Sequence, residues 1–586
     1  MKNVQLLFLL VGLLAAIPRI NAQTLIKEGF HLDTEMKKGE THLYELKLKK
    51  GEYAEVNFLQ KGVDLKVTLL NEKKDSIGFL DSPNSTDGPE LFKYLADYSG
   101  SYYFKVEPLQ PENEGMTDPV DPAYQQYLDQ NQGNYSVEEV TVLSAKVYRD
   151  KLEAAAARMQ SIIRWFGDKT QPLKTVEAGN GFDDLQFLKP ILEDVQIVGL
   201  GEATHGTREF FQMKHRMLEF LVNEMDFRVF AIEASYPACQ NINDYVLHGI
   251  GTKEAALSSQ GFWTWDTEEV LDMIEWMRTY NQGVPVEKRV QFLGFDVQVL
   301  QKSSAEVTAF LVQTDTVLAG KFEEVSELQK GVSPFGQTTD STLVAKVDLK
   351  YNDLLADMIL SEGRLISLQN RTAYYRAVEH LRILMQGWRA TKARALRQFN
   401  PEMRDYYMAD NVLYLRAQLP PGTRMVLWAH NGHVAANPEA GINGGIKPMG
   451  AYLRETFGDA YYSIAFAFNQ GGFQAMGYDE NGKMNGLMGH SVEAAEQGTI
   501  DWIFAQNEHP ISFLDLRQPF IPEVADYFRD EVKSFGTGAA FRPDFRSLRF
   551  YGSYEDYTSH HDGIIFVDTT NRARPTEAVK GRMRVE

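Results

Sequence analysis

Four apolar runs in this chain each end in a residue that can move a proton or hold a charge. Val198-Gly199-Leu200 breaks at Gly201 and delivers Glu202 and, three residues on, His205. Val229-Phe230-Ala231-Ile232 ends in Glu233, and Phe292-Leu293-Gly294-Phe295 ends in Asp296. Val426-Leu427-Trp428-Ala429 ends in His430, with His433 behind it. An imidazole titrates near neutral pH and can take a proton from water. A carboxylate beside it can orient the ring and stabilise the imidazolium, which is the role read for Glu202. A carboxylate at the end of a run such as Phe230-Ala231-Ile232 is costly to bury unless paired, so Glu233 implies a basic partner or a functional role.

His430 and His433 fit more than one chemistry. With Glu202 or Glu233 they form a donor set for a divalent metal. As N–H donors they could instead polarise a carbonyl or bind an oxyanion. Lys214 falls on the helix expected after His205, where it either neutralises Glu202 and Glu233 or is a surface charge. Arg404 and Asp405 precede the apolar Tyr406-Tyr407-Met408-Ala409 on a helix, which suits a substrate contact or a surface ion pair. Lys214 and Arg404 are the expected substrate-binding residues. His215, His248, His490, His509, His560 and His561 lack comparable context and read as structural or surface residues.

Several elements must position these groups. Short apolar runs ending in Gly or an acid read as inner strands of a parallel sheet, and such sheets bind ligands beyond the carboxyl ends of their strands. From about residue 180 strands alternate with helices, so the expected fold is α/β: a mostly parallel sheet with flanking helices. Residues 303–418 are helical in pattern throughout, and are expected to form a helical cap or insertion. Residues 23–110 alternate apolar and polar residues between Gly-Glu, Asn-Glu and Ser-Gly punctuation, which predicts a small all-β, sandwich-like domain. Residues 111–154 are expected to be a linker and the start of a connecting helix, the helix itself spanning about Val137 to Trp165.

The chain has 586 residues, too many for one ordinary core, so at least two domains are expected. A net charge of −20 argues against nucleic acid as a partner. Residues 1–22 read as a cleaved secretory signal: Lys2, an apolar run from Leu6 to Ile17 too short to span a bilayer, then a break before Gln23. A secreted or periplasmic location follows, with no membrane span left after cleavage. The single cysteine, Cys239, excludes an internal disulfide and reads as a small buried hydrophobe.

Other catalytic patterns fail residue by residue. Gly489-His490-Ser491-Val492-Glu493 lacks the final glycine of a serine-hydrolase elbow. No His-Glu-x-x-His zinc helix occurs, and Gly199-Leu200-Gly201 lacks the third glycine of a dinucleotide loop. Gly477 to Lys483 imitates a phosphate loop, but Met484 replaces the Ser or Thr that would hold magnesium.

With these segments in view, the chain resembles the erythromycin esterase family. The resemblance rests on Gly201-Glu202-Ala203-Thr204-His205-Gly206, Lys214-His215-Arg216, Phe230-Ala231-Ile232-Glu233-Ala234, Phe262-Trp263-Thr264-Trp265, Gly294-Phe295-Asp296 and Trp428-Ala429-His430-Asn431-Gly432-His433. It covers roughly 155–575. It implies a hydrolase acting on a macrocyclic lactone without a serine nucleophile. It further implies His205 as the water-activating base, Glu202 and Glu233 as essential acids, and His430 and His433 as the later histidine pair. Lys214 stands where resistance esterases of the family carry Arg. The expectation is therefore hydrolysis of a small-molecule carboxylic ester or lactone, with no cofactor required. Two alternatives stay open: a metal-dependent hydrolase using His430, His433 and Glu202, and a non-catalytic envelope- or carbohydrate-binding protein on a hydrolase fold.

Overall fold

The structure, a computed structural model, describes residues 23–82, 84, 86–109, 131–298, 300–332, 340–398, 402–438, 446–479, 482–530, 532–542, 551–554 and 556–586. The expected signal at 1–22 and residues 111–130 of the expected linker segment lie outside the described residues. The chain divides into two compact units, Met1–Arg158 and Met159–Glu586.

The first unit is a β-sandwich. Its strands are β1 (Thr24–Ile26), β2 (Leu32–Met36), β3 (His42–Leu48), β4 (Tyr53–Lys61), β5 (Leu65–Leu70), β6 (Ser76–Leu80), β7 (Asp87–Leu95), β8 (Gly100–Pro108) and β9 (Gly133–Leu143). One sheet has the order β1-β3-β8-β5-β6 and the other β2-β9-β4-β7. Alternation puts every second residue of β4 inside, and one core joins Tyr44, Leu46, Val56, Phe58, Val67 and Phe104 from both sheets.

Strand β9 corrects the expected boundary at residue 110. It lies between β2 and β4, so the sandwich extends through Leu143, and the helix expected from Val137 begins only at Ala145. A β-bulge explains the misreading. Across from Glu55–Asn57 the register skips, and Glu139 takes a φ of 50°. The extra residue spaces the buried Val137 and Val140 three apart, which imitates a helical period.

The second unit is built on a nine-stranded sheet. Its strands are β10 (Gln171–Pro172), β11 (Ile197–Leu200), β12 (Phe227–Ser235), β13 (Gln291–Asp296), β14 (Arg424–Trp428), β15 (Tyr461–Tyr478), β16 (Met484–Val492), β17 (Ile511–Asp515) and β20 (Gly563–Thr570). β18 (Val532–Phe535) and β19 (Tyr551–Tyr554) pair separately. The order is β10-β17-β20-β15-β11-β14-β12-β13, with β16 on the far half of β15. The sheet is mixed, a run of parallel strands with antiparallel members beside it. β20 through β13 are parallel neighbours, whereas β10, β17 and β16 pair antiparallel. Of the antiparallel pairs only β15 and β16 are joined by a short turn, which needs no crossover helix.

The parallel stretch aligns the strand ends that matter. Leu200 and Ile232 both register with Trp428, and Ile232 with Gly294. Residues just past these positions therefore emerge on one rim. One face of the sheet is covered by the helix Arg208–Met225, whose Phe210, Phe211, Met217 and Leu218 join Phe230 and Trp428 in a large core.

Between β13 and β14 come the helices Gln301–Thr314, Thr316–Lys330, Ser341–Leu360, Glu362–Leu368, Arg371–Ala395 and Glu402–Ala417. The first five close around their own core, centred on Val347, Leu354, Met358, Leu381 and Trp388. The sixth departs from the expected 303–418 insertion. Its Met408, Ala409, Val412 and Leu415 pack with Ile197, Val229 and Leu427 on the other face of the sheet. Among the described residues no helix is long and apolar enough to cross a membrane.

Trp388 is fully buried in the insertion core and its indole N–H donates to Asp348 Oδ1 at 3.1 Å. Trp388→Ala should destabilise the insertion by about 3–5 kcal/mol, read by guanidinium denaturation followed by far-UV circular dichroism. A change within about 0.5 kcal/mol would mean the insertion does not rest on this core.

Candidate functional site

Glu202 and His205 leave the end of β11 through a glycine that tolerates no side chain. A Cβ on Gly201 would collide with Asn431 Oδ1. That amide cannot move aside: its Nδ2 donates to Phe466 O at 2.9 Å and its Oδ1 accepts from Phe466 N at 3.0 Å. The turn after β14 is thereby clipped to β15, across the top of β11.

Glu202 is fully buried, and its carboxylate is satisfied on all sides. Oε1 lies 2.6 Å from His205 Nδ1. Oε2 accepts from Lys214 Nζ at 2.7 Å and from the Trp428 indole N–H at 2.6 Å. Burial pushes the Glu202 pKa up, but Lys214 and His205 outweigh it and hold the group below the usual carboxylate range. Burial pushes Lys214 down to about 8 against the pull of Glu202. Its Nζ lies 4.2 Å above the Trp428 ring and 5.4 Å above that of Phe466. Lys214, expected to bind substrate, is wholly enclosed as a counter-ion of Glu202 and is not among the residues that line the cavity described below.

A second cluster joins β12, β13, the turn after β14 and the helix Glu402–Ala417. Arg404 grips Asp296 with two parallel bonds, Nε to Oδ1 at 3.1 Å and Nη2 to Oδ2 at 2.9 Å. The same Nη2 donates to Glu233 Oε1 at 2.6 Å, and Nη1 lies 3.0 Å from His433 Nε2. Glu233 Oε2 accepts from the backbone N–H of His430 at 2.9 Å. Burial pushes Glu233 up, but His433 and Arg404 overcome it and keep the carboxylate ionised far below its ordinary pKa. Asp405 Oδ1 lies 2.7 Å from His433 Nδ1 and accepts from Met449 N at 2.9 Å. Burial pushes His433 down, yet Glu233 and Asp405 outweigh it and leave its pKa above the ordinary histidine value.

His430 stands between the two clusters, its ring centre 5.1 Å from that of His205. Burial, then His205 and His433, push its pKa down to about 4, so it is neutral at physiological pH. Its Nδ1 accepts from Gly432 N at 3.4 Å, and its Nε2 is buried with no partner among the described residues.

Beside these clusters lies a cavity of about 380 Å³. His205, Glu233, Arg404, Asp405, His430 and His433 line it, and Gln298, Ile446, Pro448 and Ala539 complete the wall. The volume falls in the range of small-molecule sites. The structure thus brings His205, Glu202, Glu233, Arg404, His430 and His433 together. Trp428 was missed in the sequence, and Asp296 and Asp405 were noted there without being assigned to the site. Asp296 was visible as an acid ending a strand, and Asp405 as the neighbour of Arg404. Nothing local marks the Trp428 indole as a partner of Glu202.

Of the donors expected of a metal site, Glu202 and His433 are engaged, whereas His430 Nε2 has no partner among the described residues. Both Glu202 oxygens and both His433 nitrogens already have partners. Among the described residues no three or more His, Cys, Asp or Glu side chains are grouped to hold a metal ion.

The parallel strand ends of this α/β sheet gather a buried carboxylate–histidine pair and a Glu–Arg–Asp cluster beside a cavity of small-molecule size. The chain belongs to the erythromycin esterase family: the model of that family matches residues 222–570. This span holds Glu233, Asp296, Arg404, Asp405, His430 and His433, and the membership supports a hydrolase. The chain is 26% identical to the Escherichia coli erythromycin esterase type II over 330 residues, 52% of this chain and 77% of that protein. It is 24% identical to the putative hydrolase YbfO of Bacillus subtilis (strain 168) over 433 residues, 69% and 90% of the two chains. Among solved structures, a mutant of the erythromycin esterase EreC in its open conformation aligns with a TM-score of 0.51 and 16% identity, covering 69% of this chain and 97% of that one. A succinoglycan biosynthesis protein aligns at 0.58 and 22% identity, covering 71% and 99%. These structural likenesses show the shared fold.

Two outcomes follow from this geometry. Gly201→Ala should lower stability by about 1–3 kcal/mol and displace Glu202, measured by thermal melting and by loss of activity together; a fully active, equally stable variant would contradict the close packing. The second concerns pH. Between pH 4 and 6.5 the unfolded chain binds a proton at His430 that the folded chain refuses. Stability therefore rises with pH across that window and falls on acidification, by about 3 kcal/mol at most for this residue. The buried His215, His380 and His561, pushed down by burial to about 4, 3 and 3, act in the same direction. His430→Asn should flatten the stability–pH slope without abolishing it; an unchanged slope would mean His430 is protonated in the folded state.

Proposed function

We propose that this protein hydrolyses a carboxylic ester or lactone with water as the nucleophile and His205 as general base. The observation that carries this reading is the His205–Glu202 pair. The carboxylate, kept ionised by Lys214, holds the Nδ1 proton of His205 at 2.6 Å, which leaves Nε2 as the basic nitrogen of a ring lining the cavity.

Water loses a proton to His205 Nε2 as its oxygen attacks the carbonyl carbon. Glu202 stabilises the imidazolium that forms. The carbonyl oxygen becomes an oxyanion, facing the permanently cationic Arg404 and the Nε2 of His430, which has no partner among the described residues. Because His430 is neutral, it does not oppose the charge forming on His205 5.1 Å away. The intermediate collapses, the bond from carbonyl carbon to alkoxy oxygen breaks, and His205 returns its proton to the leaving oxygen. A linear ester yields an acid and an alcohol, and a lactone yields one hydroxy acid. Glu233 orders the site by fixing Arg404 and the backbone of His430.

The reading needs no organic cofactor and no metal. The Escherichia coli relatives are named as erythromycin esterases, so macrolide lactones head the substrate panel. The apolar run from Leu6 to Ile17 supports export, and hence a secreted or periplasmic site of action.

The test is turnover of an ester and lactone panel, erythromycin included, by wild type, His205→Ala and Glu202→Gln, with and without chelator. His205→Ala should lose about 10²–10⁴-fold in kcat while circular dichroism is unchanged. Chelator should leave wild-type turnover intact. Undiminished activity of His205→Ala sinks the mechanism. Activity lost to chelator and restored by zinc replaces it with metal-assisted hydrolysis, and ligand binding without turnover points to a binding protein.

A further inference from the structure

His433 can satisfy both ring nitrogens in only one neutral form. Asp405 Oδ1, 2.7 Å from Nδ1, is an acceptor and requires a proton on Nδ1. Arg404 Nη1, 3.0 Å from Nε2, is a donor and requires a bare lone pair there. Glu233 Oε1 lies farther from the same Nε2, at 3.4 Å, and already accepts from Arg404 Nη2. Asp405 is buried and cannot swing away, because the same Oδ1 accepts from the backbone N–H of Met449 at 2.9 Å. Arg404 and Asp405 are neighbours at the start of one helix, so their two bonds to His433 close a ring through the helix backbone.

We propose that Asp405 is a positioning residue: by holding the Nδ1 proton of His433 it makes Nε2 the acceptor that fixes Arg404 Nη1 at the cavity wall. The site then contains two carboxylate–histidine pairs with different tasks. Glu202–His205 moves the proton, at 2.6 Å between Oε1 and Nδ1. Asp405–His433 moves none, and instead aims the cation that meets the oxyanion. Without Asp405 the His433 proton is free to reside on Nε2, where it meets the guanidinium N–H head-on. Arg404 would still be held by Asp296 and Glu233 through Nε and Nη2, but Nη1 would be turned out of place. The charged and titratable groups facing His433 among the described residues are Asp405 and Arg404 from the helix Glu402–Ala417, Glu233 from β12 and His430 from its own turn.

This inference rests on the hydrolase reading for its kinetic consequence, but its structural half does not. Full-length protein labelled with ¹⁵N-histidine, at alkaline pH where His433 is neutral, reports the tautomer directly. The His433 signals are assigned by their loss in His433→Gln. Wild type should show a protonated Nδ1 and a bare Nε2. Asp405→Leu should shift the proton toward Nε2 and lower kcat by about a hundredfold with KM little changed. Asp405→Asn, whose amide oxygen can keep both bonds, should restore the wild-type tautomer and most of kcat. A wild-type Nε2 proton, or an Asp405→Leu spectrum and kcat like wild type, overturns the proposal. If Asp405→Leu does not fold, the wild-type and Asp405→Asn spectra still decide it. If no ester is hydrolysed, the functional reading fails while the tautomer stands or falls separately.

Discussion

A carboxylate cannot stay ionised inside a protein unless its charge is met, and the site depends on how Glu202 meets that constraint. Removal from water disfavours the charged form strongly. Three donors converge to reverse this: the Lys214 ammonium, the Trp428 indole N–H and the His205 imidazole. Each comes from a different element, the helix Arg208–Met225, strand β14 and the turn after β11. The charge is therefore stable only in the assembled fold. Lys214 pays part of the cost, its own pKa being pushed down to about 8 by the same burial. The outcome is one ionised carboxylate with a single oxygen turned to a histidine that reaches the cavity.

The second cluster solves a larger version of the same problem. Glu233, Asp296 and Asp405 are three buried carboxylates, and Arg404 is the cation that binds two of them. Its planar fork suits this task where a lysine would not, since it bonds Asp296 bidentately and still reaches Glu233 and His433. This accounts for the placement of the helix Glu402–Ala417. Although it follows five helices of a separate insertion core, it packs on the sheet through Met408, Ala409 and Val412. Its first turn is thereby brought over the ends of β12 and β13. The insertion is tied to the site through the chain of this helix: Arg382 Nη2 donates to Asp410 at 2.7 Å, and Gln386 to Asn411 at 2.8 Å.

The proton affinities of the two later histidines are set by these surroundings. His430 has no carboxylate on either ring nitrogen and is pushed to about 4, whereas His433, held between Asp405 and Glu233, is raised. Two histidines three residues apart thus acquire opposite proton affinities. Spacing alone made them look like an equivalent pair fit for a metal. Their environments divide them, because a ring responds to the charge at each nitrogen and to its own burial.

Local order in the chain determined where the chemistry would emerge. Apolar runs broken by Gly201, or ended by Glu233, Asp296 and His430, have the period and length of buried strands, and parallel pairing brings such ends to one rim. The residues of the site were legible for that reason, as was the alternation of the sandwich. The pairing of charges was not, because it joins residues far apart in sequence. Lys214 suited Glu202 and Glu233 equally well on paper. Only the fold encloses it against Glu202 and assigns Glu233 to Arg404, 171 positions away. Asp405 and Trp428 likewise gained their roles from contacts across the sheet. Strand β9 was hidden because one bulged residue turns an alternating pattern into a helical one. Periodicity is a short-range signal carried by neighbours in the chain, whereas a buried charge is satisfied by whichever donor the packed elements bring within about 3 Å, and that is decided by tertiary structure.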